Sequence, residues 1–411
     1  MRAFILAHLS LVSIVLTLSA SDAQAQLIEP VAATKIAFIG DTGMDSSFRQ
    51  VLRLIESEQA DMVVHLGDFD YADNPKGFES IIDAELGETF PYLVVPGNHD
   101  NGAWKSTCSN GNKGCYATVF GQRYVQSGIP LTKDQLDNEM YTLEFQGIFF
   151  PVVGARVKNI EHYAAYLEQQ LATRQHQWIV CSWHLNQQAM QVGGKTDQMG
   201  WPAYDSCLQA GAIIATAHEH SYQRTKTLTA LHTSQGVVVN PLYPDPQQLF
   251  VYPGSTFAFV SGAGGNGMRN QERCLPTTYP YGCNGEWASI YTSNQQAQYG
   301  ALFIDFYPAN NPNQAQGYFK NIANEVVDTF TVTSITSNGP LPTLAPTVTS
   351  APVDPSPDAD GDDDVDIFDF NALMSVFGLD QCGNSLDLNS DCSVNLIDYN
   401  LFLNALKSWW G

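Results

Sequence analysis

The chain has 411 residues, enough for one large domain with a full hydrophobic core and a second, smaller unit. Its net charge of −23 argues against a protein that binds nucleic acid through the backbone phosphates. After the N-terminus, the sequence contains no apolar segment long enough to cross a membrane, so we predict no membrane span.

The first 25 residues have the pattern of a secretory signal peptide. Arg2 precedes an apolar run over residues 3–18, and Ala23–Ala25 forms an A-x-A cleavage site. A membrane anchor is the weaker interpretation, because the apolar run contains Ser and His and is short for a bilayer span. The segment therefore predicts a soluble, exported protein that is secreted, periplasmic or associated with the cell surface.

The eight cysteines favour disulfide bonds, since cysteines of exported proteins are usually paired. Close spacing in the sequence suggests three local loops, Cys108–Cys115, Cys274–Cys283 and Cys382–Cys392, which leaves Cys181–Cys207 as the fourth pair. Sequence alone does not fix this connectivity.

Residues 26–333 are predicted to form one α/β domain. Its first part alternates apolar strands, ending at Asp41, Asp68 and Asn98, with helices over residues 46–59 and near 77–86. Because strands separated by helices usually pair in parallel, this βαβαβ order predicts a parallel sheet.

After a Gly-, Asn- and Cys-rich insertion over residues 101–130, the rest of this domain is predicted to consist mainly of strands. The stretch 141–153 predicts an antiparallel pair, and 159–177 predicts a helix. Strands ending in histidine follow at 176–184 and 211–220. Aromatic-rich strands from Phe250 onward, including ALFIDFYP, predict a second sheet.

Metal-competent side chains follow several of these strands, at the point where each strand ends. In open α/β sheets ligands bind beyond the carboxyl ends of the strands, so these residues are placed where chemistry usually occurs. Asp and Asn oxygens together with imidazoles suit first-row transition ions, and a carboxylate can bridge two of them. The candidate residues are Asp41, Asp68, Tyr71, Asn98, His99, His184, His218 and His220.

In this order the residues resemble the metallophosphoesterases, and within them the short form of the purple acid phosphatases. The family pattern DxG, GDxxY, GNH, a lone strand-end His and GHxH is matched in sequence by Asp41-Thr42-Gly43, Gly67–Tyr71, Gly97-Asn98-His99, His184 and Ala217–His220. The resemblance implies an αββα sandwich of two sheets.

The resemblance also implies a role for each residue. One ion, typically ferric iron, would be held by Asp41, Asp68, Tyr71 and His220. Asp68 would bridge to a second iron, zinc or manganese ion held by Asn98, His184 and His218. His99 would be the catalytic residue that contacts the substrate phosphate and protonates the leaving oxygen. The implied activity is hydrolysis of phosphate monoesters, as in an acid phosphatase, by attack of a metal-bound hydroxide.

Two alternatives to an acid phosphatase remain open at this point. A phosphodiesterase or nucleotidase would use the same metal site, and a catalytically silent, calcium-dependent anchoring protein would keep it without activity. The sequence departs from the family pattern at Ala217, where Gly is usual, and at Gly193, where relatives often carry a second histidine.

Several neighbouring residues are predicted to support the site rather than to bind metal. His65 lies inside an apolar strand, which favours a hydrogen-bonded core histidine. Asp70 and Asp100 are predicted to orient the ligands. The stretch Ser261–Gly267 lacks the Lys-Ser/Thr of a phosphate-binding loop and predicts a close-packed turn near the site.

Residues 334–357 are rich in Pro, Ser and Thr and predict an extended linker. The segment that follows, 358–411, contains two repeats 29 residues apart, each with acids at the spacing of an EF-hand calcium loop followed by one helix, at 370–377 and 399–409. The predicted calcium ligands are Asp358, Asp360, Asp362, Asp364 and Asp369 in the first loop, and Asp387, Asn389, Asp391, Ser393 and Asp398 in the second.

This loop–helix duplication resembles dockerin modules, which implies a small helical unit holding two calcium ions. The implied partner is a cohesin-like protein. Ile367-Phe368 and Leu396-Ile397 stand where cellulosomal dockerins carry small polar residues, which argues against a cellulosomal cohesin as the partner.

Overall fold

In the computed structural model, the residues described are 32–172, 176–234 and 236–335, with 357–358, 365, 367–376, 386–388, 394, 398–399, 401–402 and 405 of the C-terminal part. The predicted signal peptide, almost all of the linker and the Cys382–Cys392 pair lie outside these residues. So do the predicted calcium ligands Asp360, Asp362, Asp364, Asn389, Asp391 and Ser393.

The strands are β1 (Thr34–Ile39), β2 (Met62–His65), β3 (Tyr92–Val94), β4 (Met140–Phe145), β5 (Ile148–Val153), β6 (Trp178–Ser182), β7 (Ile213–Thr216), β8 (Tyr222–Thr225), β9 (Leu228–Thr233), β10 (Gly236–Val239), β11 (Gln248–Val251), β12 (Ala258–Ser261), β13 (Trp287–Tyr291), β14 (Gly300–Phe306), β15 (Gln314–Asn321) and β16 (Val326–Ser334). The helices are α1 (Ser46–Ser57), α2 (Pro75–Leu86), α3 (Tyr116–Ser127), α4 (Lys133–Asp137), α5 (Ile160–Leu171), α6 (Pro202–Ala210) and α7 (Ile367–Val376).

Two mixed seven-stranded sheets form the body of the large domain. The first has the order β11-β16-β15-β14-β1-β2-β3, and the second β13-β8-β12-β7-β6-β5-β4. The parallel pairing of β1, β2 and β3 predicted from the sequence is confirmed, as is the antiparallel pair β4–β5.

Aromatic side chains join the two sheets face to face. Phe38 of the first sheet meets Phe259 of the second at 5.1 Å between ring centroids, and Trp178 meets Phe306 at 5.2 Å. The main hydrophobic core runs through both sheets and the inner faces of α1 and α2. A second core lies between the other face of the second sheet and helices α5 and α6. The result is an αββα arrangement.

The prediction that the aromatic-rich strands from Phe250 onward form a second sheet is wrong for several of them. Strands β12 and β13 do belong to the second sheet, but ALFIDFYP becomes β14, which pairs antiparallel with β1 in the first. Strands β11, β15 and β16 extend the first sheet beyond it. Strands β15 and β16 largely alternate buried residues with more exposed ones, and such a pattern indicates one buried face but not which sheet a strand joins.

The insertion over residues 101–130 contains a helix, α3, that the sequence analysis did not predict. Its residues Tyr116, Phe120 and Tyr124 recur every four positions and are buried. The predicted helix 159–177 is shorter in the structure, where α5 ends at Leu171. Three of the predicted disulfides are present: Cys108–Cys115, Cys181–Cys207 and Cys274–Cys283.

The described C-terminal residues form a small core of their own, made of Val365, Leu373, Leu386, Val394 and Phe402. Val365 and Val394 are equivalent positions of the two repeats, as are Leu373 and Phe402. Equivalent residues of the 29-residue repeat therefore pack in one core.

No helix among the described residues has both the length and the apolar character needed to span a bilayer.

Candidate metal centre

The strand ends bring the predicted metal ligands to one edge between the two sheets. Asp41, Asp68 and Asn98 follow β1, β2 and β3 of the first sheet, while His184 and His218 follow β6 and β7 of the second. Six of the seven predicted ligands lie in two clusters of three, one around Asp41 and one around Asp68.

The Asp41 cluster consists of Asp41, Tyr71 and His220. The Tyr71 hydroxyl lies 3.1 Å from Asp41 Oδ1 and 3.3 Å from His220 Nε2. His220 Nε2 lies 3.3 Å from the same Asp41 oxygen. The three atoms thus face one another at nearly equal separations.

The Asp68 cluster consists of Asp68, His184 and His218. His184 Nε2 lies 3.2 Å from Asp68 Oδ2 and 3.1 Å from His218 Nδ1. All three side chains are buried, and their ligand atoms lie within 4.8 Å of one another.

These separations match those of ligands around a metal ion. Ligands bonded at about 2.1 Å to one ion lie about 3.0–3.4 Å apart in octahedral or tetrahedral geometry. Each cluster therefore has the spacing of one face of a coordination shell. Carboxylate, phenol and imidazole groups together suit transition ions.

The three histidines are oriented by hydrogen bonds from their other ring nitrogen. His184 Nδ1 donates to the Leu66 carbonyl at 2.7 Å, and His220 Nδ1 donates to the Asn266 carbonyl. His218 Nε2 lies 2.6 Å from Gln198 Oε1. Each bond leaves the opposite nitrogen, unprotonated in the neutral ring, facing its cluster, as is usual for metal-binding histidines.

The side-chain oxygen of Asn98 is buried and has no hydrogen-bond partner in the part of the chain that the structure describes. An unpartnered buried carbonyl is rare in folded proteins, because its desolvation is not compensated. A cation bound beside Asn98 would supply the missing interaction, so the residues present fit a metal site. His99, next in the chain, is exposed, and its ring packs 4.8 Å from that of Tyr71 at the rim.

Asp100 holds the loops that carry Asp68 and Asn98. Its carboxylate accepts backbone N–H bonds from Asp68 (2.8 Å), Phe69 (2.9 Å) and Gly97 (2.7 Å). A Cβ at Gly97 would lie only 2.9 Å from Asp100 Oδ2, so this close approach requires glycine. Asp70 binds the N–H groups of Ala72 and Asn74 in the same way.

His65 is a buried, fully hydrogen-bonded residue, as the sequence analysis predicted. Its Nδ1 accepts from the Gly67 N–H at 3.2 Å, and its Nε2 donates to the Thr42 hydroxyl at 3.0 Å. Burial lowers its pKa to about 3, so the ring stays neutral. His65 is therefore part of the scaffold beneath the site.

Opposite charges shift the pKa values within the clusters. Burial alone would raise the pKa of Asp41, but the charge and hydrogen bond of His220 and the charges of His184 and Lys195 hold it below its usual range. For His184, burial acts to lower the pKa, yet Asp68 outweighs it and raises the pKa to about 9. The two carboxylates thus favour cations at their clusters.

Tyr71 is a neutral phenol in this arrangement. Burial, followed by the charges of Asp41 and Asp68, raises its pKa far above the usual value. The phenolate form that ferric iron would favour therefore requires the positive charge of an ion at the Asp41 cluster.

Four residues at the site were not identified from the sequence: Gln198, Asn266, Lys195 and Glu219. Gln198 and Asn266 orient histidines, while Lys195 Nζ donates to the His218 carbonyl. Asn266 belongs to the glycine-rich turn 261–267, which lies beside the site: its N–H donates to the Asp41 carbonyl at 2.9 Å. Gln198 and Lys195 lie in a loop without periodicity, so no sequence signal marks them.

Residues 34–222 match the model of the calcineurin-like phosphoesterase family, which supports a metallophosphoesterase domain in this part of the chain. A search of curated proteins finds no match.

Among solved structures, one similar chain is the purple acid phosphatase PPD1 from yellow lupin (Lupinus luteus) seeds, with a TM-score of 0.52 and 18% identity. The match covers 76% of this chain and 57% of the lupin chain, so this protein spans just over half of that enzyme's length. PhoD matches with a TM-score of 0.47 and 13% identity over 76% of this chain and 73% of its own. GAP50, the anchor in the inner membrane complex of Plasmodium, matches with a TM-score of 0.47 and 12% identity over 75% of this chain and 99% of its own. The match to the lupin enzyme shows that the two proteins share a similar fold.

Proposed function

We propose that this protein is a dinuclear metal phosphoesterase that hydrolyses phosphate monoesters, as an acid phosphatase does. The observation that carries the proposal is the pair of three-residue clusters joined at neighbouring strand ends, with the unpartnered Asn98 oxygen beside them. The fold likeness to a purple acid phosphatase supports it.

In this proposal Asp41, Tyr71 and His220 hold one ion, His184, His218 and Asn98 hold the other, and Asp68 bridges them. When bound, the two ions supply an activated water and neutralise charge on the phosphoryl oxygens. His99 lies exposed at the rim, where its ring can contact the phosphate and give a proton to the leaving oxygen.

The test combines metal analysis with the variant Asp68→Asn. We expect about two transition ions per chain, as two-metal sites require. Removing the bridging charge should lower both metal content and phosphatase activity, the latter at least about a hundredfold, since losing even a supporting group of a metal site costs 10–100-fold. Asp134→Asn makes the same change at an exposed position and should keep both. Full metal occupancy without hydrolysis of any mono- or diester would contradict the proposal and favour the anchoring alternative.

We further propose that the protein is exported and that residues 358–411 bind two calcium ions and dock onto a cohesin-like protein. The three disulfides support an oxidising compartment. The common core of the two repeats supports a folded C-terminal unit.

A further inference from the structure

A cavity of about 400 Å³ opens beside the turn that carries His218 and His220. Its charged lining residues are Lys195, Glu219, Arg269 and Glu272. Lys195 Nζ donates to the His218 carbonyl, and the Arg269 backbone N–H donates to the His220 carbonyl at 2.9 Å. Two residues of the cavity wall, Lys195 and Arg269, are thus hydrogen-bonded to the backbone carbonyls of one histidine of each cluster, and the charge of Lys195 contributes to the low pKa of Asp41.

The cavity carries two positive and two negative side chains that are not paired with each other. Within the described part of the chain, none of the four has an oppositely charged group within 4.0 Å. Lys195 already bonds a backbone carbonyl, whereas the Arg269 side chain is exposed. Arg269 is therefore the cation most accessible to an anion that enters the cavity.

Glu219 is a buried carboxylate in the wall of this cavity. Only 1% of its surface is exposed, and its Oε2 has no hydrogen-bond partner among the residues that the structure describes. The carboxylate packs against Gly193, where a Cβ would lie 2.5 Å from Oε2. A buried carboxylate oxygen without a partner is costly, so a ligand group that donates hydrogen bonds would be stabilised there.

From these positions we infer that the cavity binds the alcohol part of the substrate, and that this part carries both an ammonium and a carboxylate group. The ammonium would donate to Glu219, and the carboxylate would pair with Arg269, while the phosphoryl group lies at the metal centre. The substrate class is a phosphorylated hydroxy amino acid, and the volume suits a molecule of that size. This inference rests on the phosphatase activity proposed above.

The test compares kcat/KM for O-phosphoserine with that for phosphoethanolamine, which lacks the carboxylate, and for 3-phosphooxypropionate, which lacks the ammonium. We expect O-phosphoserine to be preferred over phosphoethanolamine by up to about fivefold, the effect of one solvent-accessible ion pair, and over 3-phosphooxypropionate by at least as much. Arg269→Gln should bring the O-phosphoserine to phosphoethanolamine ratio close to one, mainly through KM. Arg49→Gln removes an arginine of α1 that pairs with Glu85 and should leave that ratio as it is.

Aryl phosphate hydrolysis separates the two proposals. If the protein hydrolyses p-nitrophenyl phosphate but has equal kcat/KM for the three test esters, the proposal for the cavity is wrong. The proposed phosphatase activity would then still hold. A preference that persists unchanged in Arg269→Gln would overturn it as well. Absence of turnover with every ester would overturn both.

Discussion

At the scale of single residues, several metal-ligand candidates adopt a backbone conformation that most side chains avoid. Asp41 (φ 55°), Asp68 (φ 57°), Tyr71 (φ 53°) and His218 (φ 69°) all lie in the left-handed region. Such a conformation costs about 1 kcal/mol or more for each residue other than glycine, and it persists only where the surroundings enforce it. Here the enforcing contacts are hydrogen bonds such as that from the His218 N–H to Asp41 Oδ2 at 2.8 Å.

His65 makes the stability of the metal-free protein depend on pH. Its pKa is about 3 when folded and about 6.5 when unfolded, so between these values only the unfolded chain binds the proton. The free energy of unfolding should therefore fall as the pH drops through this window, by up to about 1.4 kcal/mol per pH unit from this group. Above the window, His65 contributes no pH dependence.

Urea unfolding of chelated protein at several pH values measures this contribution. His65→Gln, which cannot titrate, should show a shallower dependence between about pH 4 and 6.5 than the unmodified protein. His162→Gln changes an exposed histidine and should keep the original slope. Identical slopes for His65→Gln and the unmodified protein would contradict the prediction.

At the scale of secondary-structure elements, one buried arginine fixes α3 to α2. Arg123 is fully buried, and its guanidinium lies 2.8 Å from Glu79 and 2.7 Å from Asp83. It also donates to the carbonyls of Gly87 and Phe90 at 2.7 and 3.2 Å. This set of bonds holds the insertion 101–130 against the first sheet.

Removing this arginine should destabilise the protein strongly. Arg123→Met leaves Glu79 without its cation in a mostly buried position, so we expect a loss of about 3 kcal/mol in the free energy of unfolding. Arg53→Met is the matched control, because Arg53 is exposed and its pair with Glu85 should contribute less than about 1 kcal/mol. Denaturant titration of both variants measures the difference in the free energy of unfolding. Equal losses of stability in the two variants would refute the role of Arg123 in fixing α3 to α2.

The sequence predicts those elements whose signal is local. Strands β1 to β3 are apolar runs that end in Gly-Asp or Gly-Asn, so both their pairing and the ligands after them can be read directly. The position of β14 beside β1 depends on pairing between residues more than 250 apart in the chain. Lys195, Gln198 and Glu219 acquire their roles only through the loops that fold around His218, which no periodicity reveals.

At the scale of the whole molecule, the C-terminal repeats predict a calcium-dependent fold. Asp369, Asp387 and Asp398 are buried among the described residues, and Phe370 contacts Tyr399, its counterpart 29 positions on, at 6.2 Å between ring centroids. Without a cation, repulsion among the loop acids should keep this segment from folding.

Calcium titration of the full chain, followed by far-ultraviolet circular dichroism, should show a gain of helix. Asp358→Asn removes a charge at the first loop position and should weaken the response, whereas Asp380→Asn, outside both loops, should not. A spectrum that does not change with calcium would rule out the predicted module.

The candidate ligands of the metal centre come from the first sheet and then from the second along the chain, although β11 and β14–β16 complete the first sheet only later. Asp41, Asp68 and Asn98 are synthesised long before His184, His218 and His220. A growing polypeptide that has not reached His184 thus has only one side of the centre. In the proposed assignment each ion needs at least one of these histidines, so neither ion site is complete until about half of the polypeptide has been made. If the proposed function holds, the ions available where folding finishes, rather than where translation begins, would decide which metals the protein binds.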